Sequence, residues 1–302
     1  LKRKKILSLI GVLIVTSLFA SCGNSAALSN SLNHSWETAS NLPDYSGGNI
    51  SGFYNKKQAI TVGDSGYIYY TKDGGKTWNQ GKNSSLCLFG LNIVNNNVAY
   101  ASGNGSFVIK TTDGGANWKP ASSFGENEPN HPRYLSFLDE NTGWVATAEK
   151  FNYKNKEVML GSTKDGGKTW EGIALPAEAE EILAIHLRTP ENGYVIDTKK
   201  NLYITKDGGK SFSKQPLGIE DIDLLTNFAP QIVFKFSDEN NAFIAYEDKF
   251  AKLKAARSDD GGKTWTSETI PDSPIGALHL SQDGKIITLT RANKPIKILE
   301  YK

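Results

Sequence analysis

The chain has 302 residues, 38% of them hydrophobic and 10% aromatic, with 34 basic side chains against 32 acidic ones. Four basic residues and no acidic one fall in the first 21 positions, which leaves the remainder at 30 against 32. A body so close to neutral lacks the electrostatic footprint of a nucleic-acid binder, and two cysteines, Cys22 and Cys87, exclude a disulfide-stapled scaffold.

Lys2, Arg3, Lys4 and Lys5 open the chain, followed by an apolar run over residues 6–20 and small residues before Cys22. That is the plan of a secretory signal, and the run is too short for a membrane span. The ending Leu18-Phe19-Ala20-Ser21-Cys22 resembles the bacterial lipobox. The resemblance implies lipidation of Cys22 and an extracytoplasmic protein anchored at the cell membrane; the alternative is an ordinary signal peptide with a chance cysteine. Residues 1–22 are read as the signal, 23–34 (GNSAALSNSLNH) as a polar flexible tether, and 35–302 as the folded domain. Cys87, inside Leu86-Cys87-Leu88-Phe89, is read as a small buried hydrophobe.

From Trp36 to Pro43 the chain looks like an outer strand that has lost its own hairpin, since similar stretches begin at Trp170 and Trp265. Next, Tyr67-Ile68-Tyr69-Tyr70 leads into Thr71-Lys72-Asp73-Gly74-Gly75-Lys76-Thr77-Trp78, and this octet recurs four more times. The five aspartates, Asp73, Asp113, Asp165, Asp207 and Asp260, are 40, 52, 42 and 53 residues apart. A period of that size means stacked or radial units that cannot bury their apolar faces alone. Asp-Gly-Gly supplies a turn, because glycine reaches positive φ and a short carboxylate accepts nearby N–H groups. The aromatic residue that ends each octet begins the next strand. The pattern closely resembles the Asp-box, or BNR, repeat of β-propellers. These aspartates are read as structural: five equivalent turns cannot converge on one substrate or one metal.

Between the octets lie apolar runs broken by polar turns, such as Asp139-Glu140-Asn141-Thr142-Gly143, Glu191-Asn192-Gly193 and Asp238-Glu239-Asn240-Asn241. These are hairpin signals, giving four strands per unit. Units fall at about 48–82, 86–122, 131–175, 181–216 and 230–269, and a sixth begins near 275 with a turn at Asp283-Gly284 but no fourth strand. The spare strand at Trp36 fits that gap. The expected fold is therefore an all-β, six-bladed β-propeller of four-stranded antiparallel blades, closed by the N-terminal strand, with seven blades as the alternative.

In such a ring the Asp-box turns share a face with the turns between first and second strands. The opposite face carries the irregular loops, here 122–132, 149–157, 215–230 and 247–254, and binding belongs there. His131, Arg133, Tyr134, Asp197, Glu247 and Arg291 are the candidate residues of that face. A second set comes from the innermost strands: Gly52, Gly90, Ser136, His186, Lys235 and His279 align at one position. His186, Lys235 and His279 are the unusual members, and facing the channel they would favour an anionic ligand.

Two families frame the function. Bacterial sialidases resemble the chain in blade count and Asp-boxes, which would imply an exo-glycosidase with an arginine triad. Beyond the signal only Arg133, Arg188, Arg257 and Arg291 remain, and two of these belong to the Asp-box face. Photosystem II assembly-factor-like propellers resemble residues 48–270 in blade pattern, which implies a scaffold without catalysis. The expectation is a membrane-anchored, non-catalytic binding module for a protein or glycan, monomeric, with no cofactor, no metal and no nucleic-acid partner.

Overall fold

Short β-rich runs punctuated by Asx and glycine turns dictate hairpins, and the hairpins stack radially. The computed structural model describes residues 37–39, 48–81, 87–121, 132–153, 156–222, 232–271, 276–290 and 295–300. These contain six four-stranded antiparallel sheets, so the architecture is a six-bladed β-propeller. The inner strands are β2 (Gly48–Phe53), β6 (Leu88–Ile93), β10 (Pro132–Phe137), β14 (Ile182–Leu187), β18 (Ile232–Phe236) and β22 (Ala277–Leu280). In the sixth blade, β22 is followed by β23 (Ile286–Thr290) and β24 (Ile296–Glu300), and the fourth strand is β1 (Glu37–Ala39), with Glu37 opposite Ile298.

The core lies between blades, and each seam repeats one contact. The last residue of an inner strand packs on the second strand of the preceding blade: Phe137 stacks on Tyr100 at 3.6 Å and Phe236 on Tyr194 at 3.8 Å between centroids. The aromatic residue of each Asp-box fills the outer part of the same seam. Trp118 and Trp170 are almost wholly buried there, while Phe212 and Trp265 pack against the clusters of theirs. Aromatic rings of this size supply most of the apolar area a thin four-stranded blade can bury.

Four of the six first turns use one device, an Asx side chain, while Thr189 and Ser281 hydroxyls accept the turn N–H groups in the fourth and sixth blades. Asn55 Oδ1 accepts the N–H groups of Lys57 and Gln58, Asn95 those of Asn97 and Val98, Asp139 those of Asn141 and Thr142, and Asp238 those of Asn240 and Asn241. The Asp-box of the same blade docks on that turn: Gly74 N–H donates to Lys57 O at 2.8 Å and Gly166 N–H to Asn141 O at 2.8 Å. Both sets of turns therefore share one face. Asp283 also belongs to a first turn, accepting from Ser281 Oγ at 2.6 Å and Lys285 N–H at 3.0 Å.

Candidate functional site

Inside each Asp-box the chemistry is local. In the third copy Thr163 Oγ1 donates to Asp165 Oδ1 (2.9 Å), Thr169 N–H to the same oxygen (2.9 Å), and Thr169 Oγ1 to Oδ2 (2.6 Å). Asp73, Asp207 and Asp260 hold the matching set, and Asn117 replaces the hydroxyl donor at Asp113. Both glycines of every copy have φ between +72° and +102°, a region where a Cβ is strained. Donors on the carboxylate favour its charged form. Hydroxyl and N–H donors lower Asp73, Asp165 and Asp207 to about 2, and Asp260 and Asp113 also fall below the usual range. These carboxylates are occupied by their own turns.

The axis holds a different arrangement. A cavity of about 110 Å³ is lined by residues from all six inner strands. At one equivalent position of those strands stand Gly52, Asn92, Ser136, His186, Lys235 and His279, as their pairing with Ile60, Tyr100, Trp144, Tyr194, Phe243 and Thr288 shows. Asn92 takes the place expected for Gly90. β6 ends at Ile93, one residue past Asn92, as β2 ends at Phe53, one residue past Gly52.

Each of these side chains reaches the next blade. Asn92 Oδ1 accepts Phe137 N–H at 3.2 Å, and Ser136 Oγ accepts Leu187 N–H at 2.9 Å. His186 Nε2 lies 3.3 Å from Phe236 O, and Lys235 Nζ donates to Gln282 O. His279 lies over Gly52, where a Cβ would come within 2.6 Å of the imidazole. The carbonyl beside His186 Nε2 requires that nitrogen to carry the proton, which a neutral ring can do. Burial, helped by Lys235 and Arg188, pushes His186 down to about 3, and burial pushes His279 down to about 4. Burial also lowers Lys235, against the pull of Asp283. At neutral pH the two histidines are uncharged, so His186, Lys235 and His279 act first as ties between blades, and Lys235 is the cation of the three.

The loop-face candidates separate. Arg133 and Tyr134 lie on β10 and line the cavity, and burial pushes the Tyr134 hydroxyl up to about 12. Asp197 is completely buried, and its carboxylate accepts the N–H groups of Lys199 and Asn201 and the Tyr203 hydroxyl. It is the staple of a turn between second and third strands, and Asp248 repeats the role in the fifth blade through Phe250 and Lys252. Glu247 is 8% exposed, too enclosed to meet a partner. His131, Arg291 and Cys22 lie outside the described residues.

One feature of this face escaped the residue patterns. Tyr67, Phe107 and Phe250 are 40, 39 and 68% exposed, the large hydrophobic side chains in that state among the described residues. All three sit in turns between second and third strands, in the first, second and fifth blades. The signal was legible as an aromatic residue just before or within each of those turns, where no seam can cover it. Chemically, the face offers apolar contact and hydrogen bonding. Arg188 follows β14 toward the Asp-box face and Arg257 directly precedes an Asp-box, so neither joins Arg133 at the cavity.

Comparison with known proteins agrees with this geometry. Residues 69–80 match the BNR/Asp-box repeat model, and residues 158–270 match the model described as Sortilin, neurotensin receptor 3 (Sortilin-Vps10). No curated protein matches by sequence. Among solved structures, a streptogramin B lyase has a TM-score of 0.58 at 10% identity, covering 89% of this chain and 98% of its own. The WD40 β-propeller domain of Doa1 has a TM-score of 0.57 at 9% identity, covering 89% and 97%. YCF48 bound to a D1 peptide has a TM-score of 0.49 at 15% identity, covering 88% and 95%. Likeness at such identities is likeness of fold.

Proposed function

We propose that this chain, a six-bladed propeller built on Asp-box (BNR) repeats, is a non-catalytic binding module whose loop face takes a protein partner. The observation that carries the reading is the placement of Tyr67, Phe107 and Phe250 on that one face. Exposed aromatic residues are enriched where proteins meet, and scattered burial inside a rigid ring gives no other reason for their common side. The partial match to a receptor family model supports a protein ligand. The five Asp-box carboxylates and Asp197 are engaged by donors of their own turns, which supports a structural role for them.

The Cys22 motif and the polar stretch that follows it support an extracytoplasmic, lipid-anchored position for the module. Replacing Cys22 by Ser should release the protein from the membrane fraction or leave it unprocessed. For the binding face, immobilised propeller is exposed to an envelope extract. The triple change Tyr67→Ser, Phe107→Ser and Phe250→Ser should abolish capture of any specific partner, while Lys72→Glu with Lys168→Glu on the Asp-box face should not. Equal loss from both faces would overturn the assignment of the face. A glycan array read in parallel checks the polymer class, and binding there in place of protein capture would replace the partner.

A further inference from the structure

Phe250 stands at the apex of the turn 248–252, which joins the second strand of the fifth blade (Ala242–Glu247) to the third (Leu253–Ser258). Every main-chain N–H of that turn is taken within the protein. Asp248 N–H donates to Lys252 O at 2.8 Å, Lys249 N–H to Asp221 O at 2.9 Å and Ala251 N–H to Asp248 O at 2.8 Å. The Asp248 carboxylate accepts the N–H groups of Phe250 and Lys252 at 2.9 and 3.0 Å. The root of the turn is fixed as well, because the Lys254 ammonium bridges Asp248 and Asp221. A tip whose donors are all satisfied internally is ordered before any partner arrives, and loses little freedom when one does.

The fourth blade builds the same turn over 197–201 with a different residue at the apex. Thr198 N–H donates to Glu181 O, Lys200 N–H to Asp197 O, and the Asp197 carboxylate accepts the N–H groups of Lys199 and Asn201, position for position. The fourth residue is left-handed in both turns, with φ of +61° at Lys200 and +60° at Ala251. Lys199 holds the place of Phe250, so this backbone does not call for an aromatic ring there. Phe250 is also the most exposed of the three aromatic tips, at 68% against 40% for Tyr67 and 39% for Phe107. Those two close their turns at the start of a strand, and Tyr67 lies along Tyr69 with 6.4 Å between ring centroids. A large apolar side chain that neither turn nor seam requires, held out on a rigid support, has the character of an interface anchor.

The charges around the tip describe what receives it. Lys249 and Lys252 flank the ring, both are exposed, and neither has an ion pair among the described residues; Lys249 Nζ lies 5.4 Å from the centre of the Phe250 ring. The neighbouring acids are spoken for or set apart. Glu247 and Asp248 are buried, Asp221 is held by Lys254 and the Tyr246 hydroxyl, and Glu220, in the stretch beside the tip, is the exposed one. A pocket that closes over Phe250 brings its rim against both ammonium groups. Carboxylates on that rim keep them paired as water leaves, whereas an apolar rim strands them and a basic one repels them.

Resting on the binding-module reading, we propose that the turn 248–252 is the anchor of the protein interface, and that the partner takes Phe250 into an apolar pocket rimmed by acidic side chains. Tyr67 and Phe107 add contact area at the border of the same interface.

The test places the photoreactive residue p-azidophenylalanine in the full chain at position 250, and separately at 67 and at 107, and irradiates intact cells. The protein joined at 250 is identified and purified, and its affinity for the unmodified chain is measured by surface plasmon resonance. Phe250→Lys, which copies the turn of the fourth blade, should keep the melting temperature and weaken binding at least about thirtyfold. Tyr67→Ser and Phe107→Ser should each weaken it by less than about fivefold. Lys249→Glu with Lys252→Glu should weaken it by about tenfold or more, chiefly through slower association, and remove most of its salt dependence. The adduct at 250 should map to an apolar stretch of the partner that carries Asp or Glu.

A loss in Phe250→Lys no larger than that in Tyr67→Ser, or charge reversal that leaves affinity unchanged, would overturn the anchor. So would Phe250-dependent sedimentation with vesicles of equal parts phosphatidylglycerol and phosphatidylethanolamine in the absence of a protein adduct, which assigns the tip to a lipid surface. Protein adducts at 67 and 107 with none at 250 sink the anchor alone, and no protein adduct at any of the three positions sinks the module reading with it.

Discussion

The half-buried Asp165 accepts three hydrogen bonds on its carboxylate, so its value lies in the turn it closes. Asp165→Ala should cost about 1 kcal/mol, a figure already reduced for solvent screening, read as a lower melting temperature with loop-face binding retained. Acid should act on two residue classes. Asp73, Asp165 and Asp207 titrate at about 2 in the folded chain, below the unfolded value of about 4. Their contribution is complete above about pH 4 and is lost between pH 4 and 2. His186 and His279 are depressed to about 3 and about 4 from the ordinary 6.5. The neutral folded state is favoured, so stability should decline as pH falls below 6.5 and continue to fall to about 4 and 3. Urea titrations from pH 8 to 3 check the order: His279→Asn should flatten the upper part of the curve and leave the carboxylate part intact.

At the scale of strands and turns, the contact between Gly52 and His279 is a close tie between neighbouring blades. A methyl group at Gly52 would meet the imidazole at 2.6 Å, so Gly52→Ala should destabilise the fold by about 1–3 kcal/mol. Shrinking the partner in Gly52→Ala with His279→Ser should recover part of that loss, and a double-mutant cycle by thermal melts would measure the coupling. The Asp-box turns were legible in the sequence because each writes its whole hydrogen-bond set within eight residues. The inner-strand position was legible in five blades and missed in the second. Apolar pattern does not mark where β6 ends, and Asn92, the last residue but one of that strand, holds the place expected of Gly90. The turn residue would have located it: Asn55, Asn95, Asp139 and Asp238 each stand three places after their blade's tie residue. Asp197 was visible as a loop acid, yet its full burial depends on Tyr203 and the turn folding beneath it, which spacing does not record.

Across the whole molecule the six seams are unequal. Five place a large apolar residue of the second strand against the next blade, but the seam from the sixth blade to the first has Thr288 there. Thr288 Oγ1 and His279 Nδ1 are both buried without partners at that seam. Its outer strand β1 comes from the other end of the chain and is tied to β24 by no Asp-box turn. Amide hydrogen exchange should therefore be faster in β1 and β24 than in β14 and the strand paired to it, and Thr288→Val should slow it. Equal protection around the ring would refute the weak seam. Six blades could be counted in the sequence because five octets fix the period; the inequality of the seams could not, because it is a property of residues about 230 positions apart, Gly52 and His279.

The pairing of Glu37 with Ile298 also sets an order in time. A ribosome releases β1 long before β24, so the earlier strand must wait for its partner. At roughly 5–20 residues per second that delay is on the order of ten seconds to a minute. Throughout it, blades one to five can form as an arc with two bare ends, and a nascent chain halted before Ile296 would keep β1 without its sheet. Anything that recognises the unfinished arc has that interval, and no later one, in which to act.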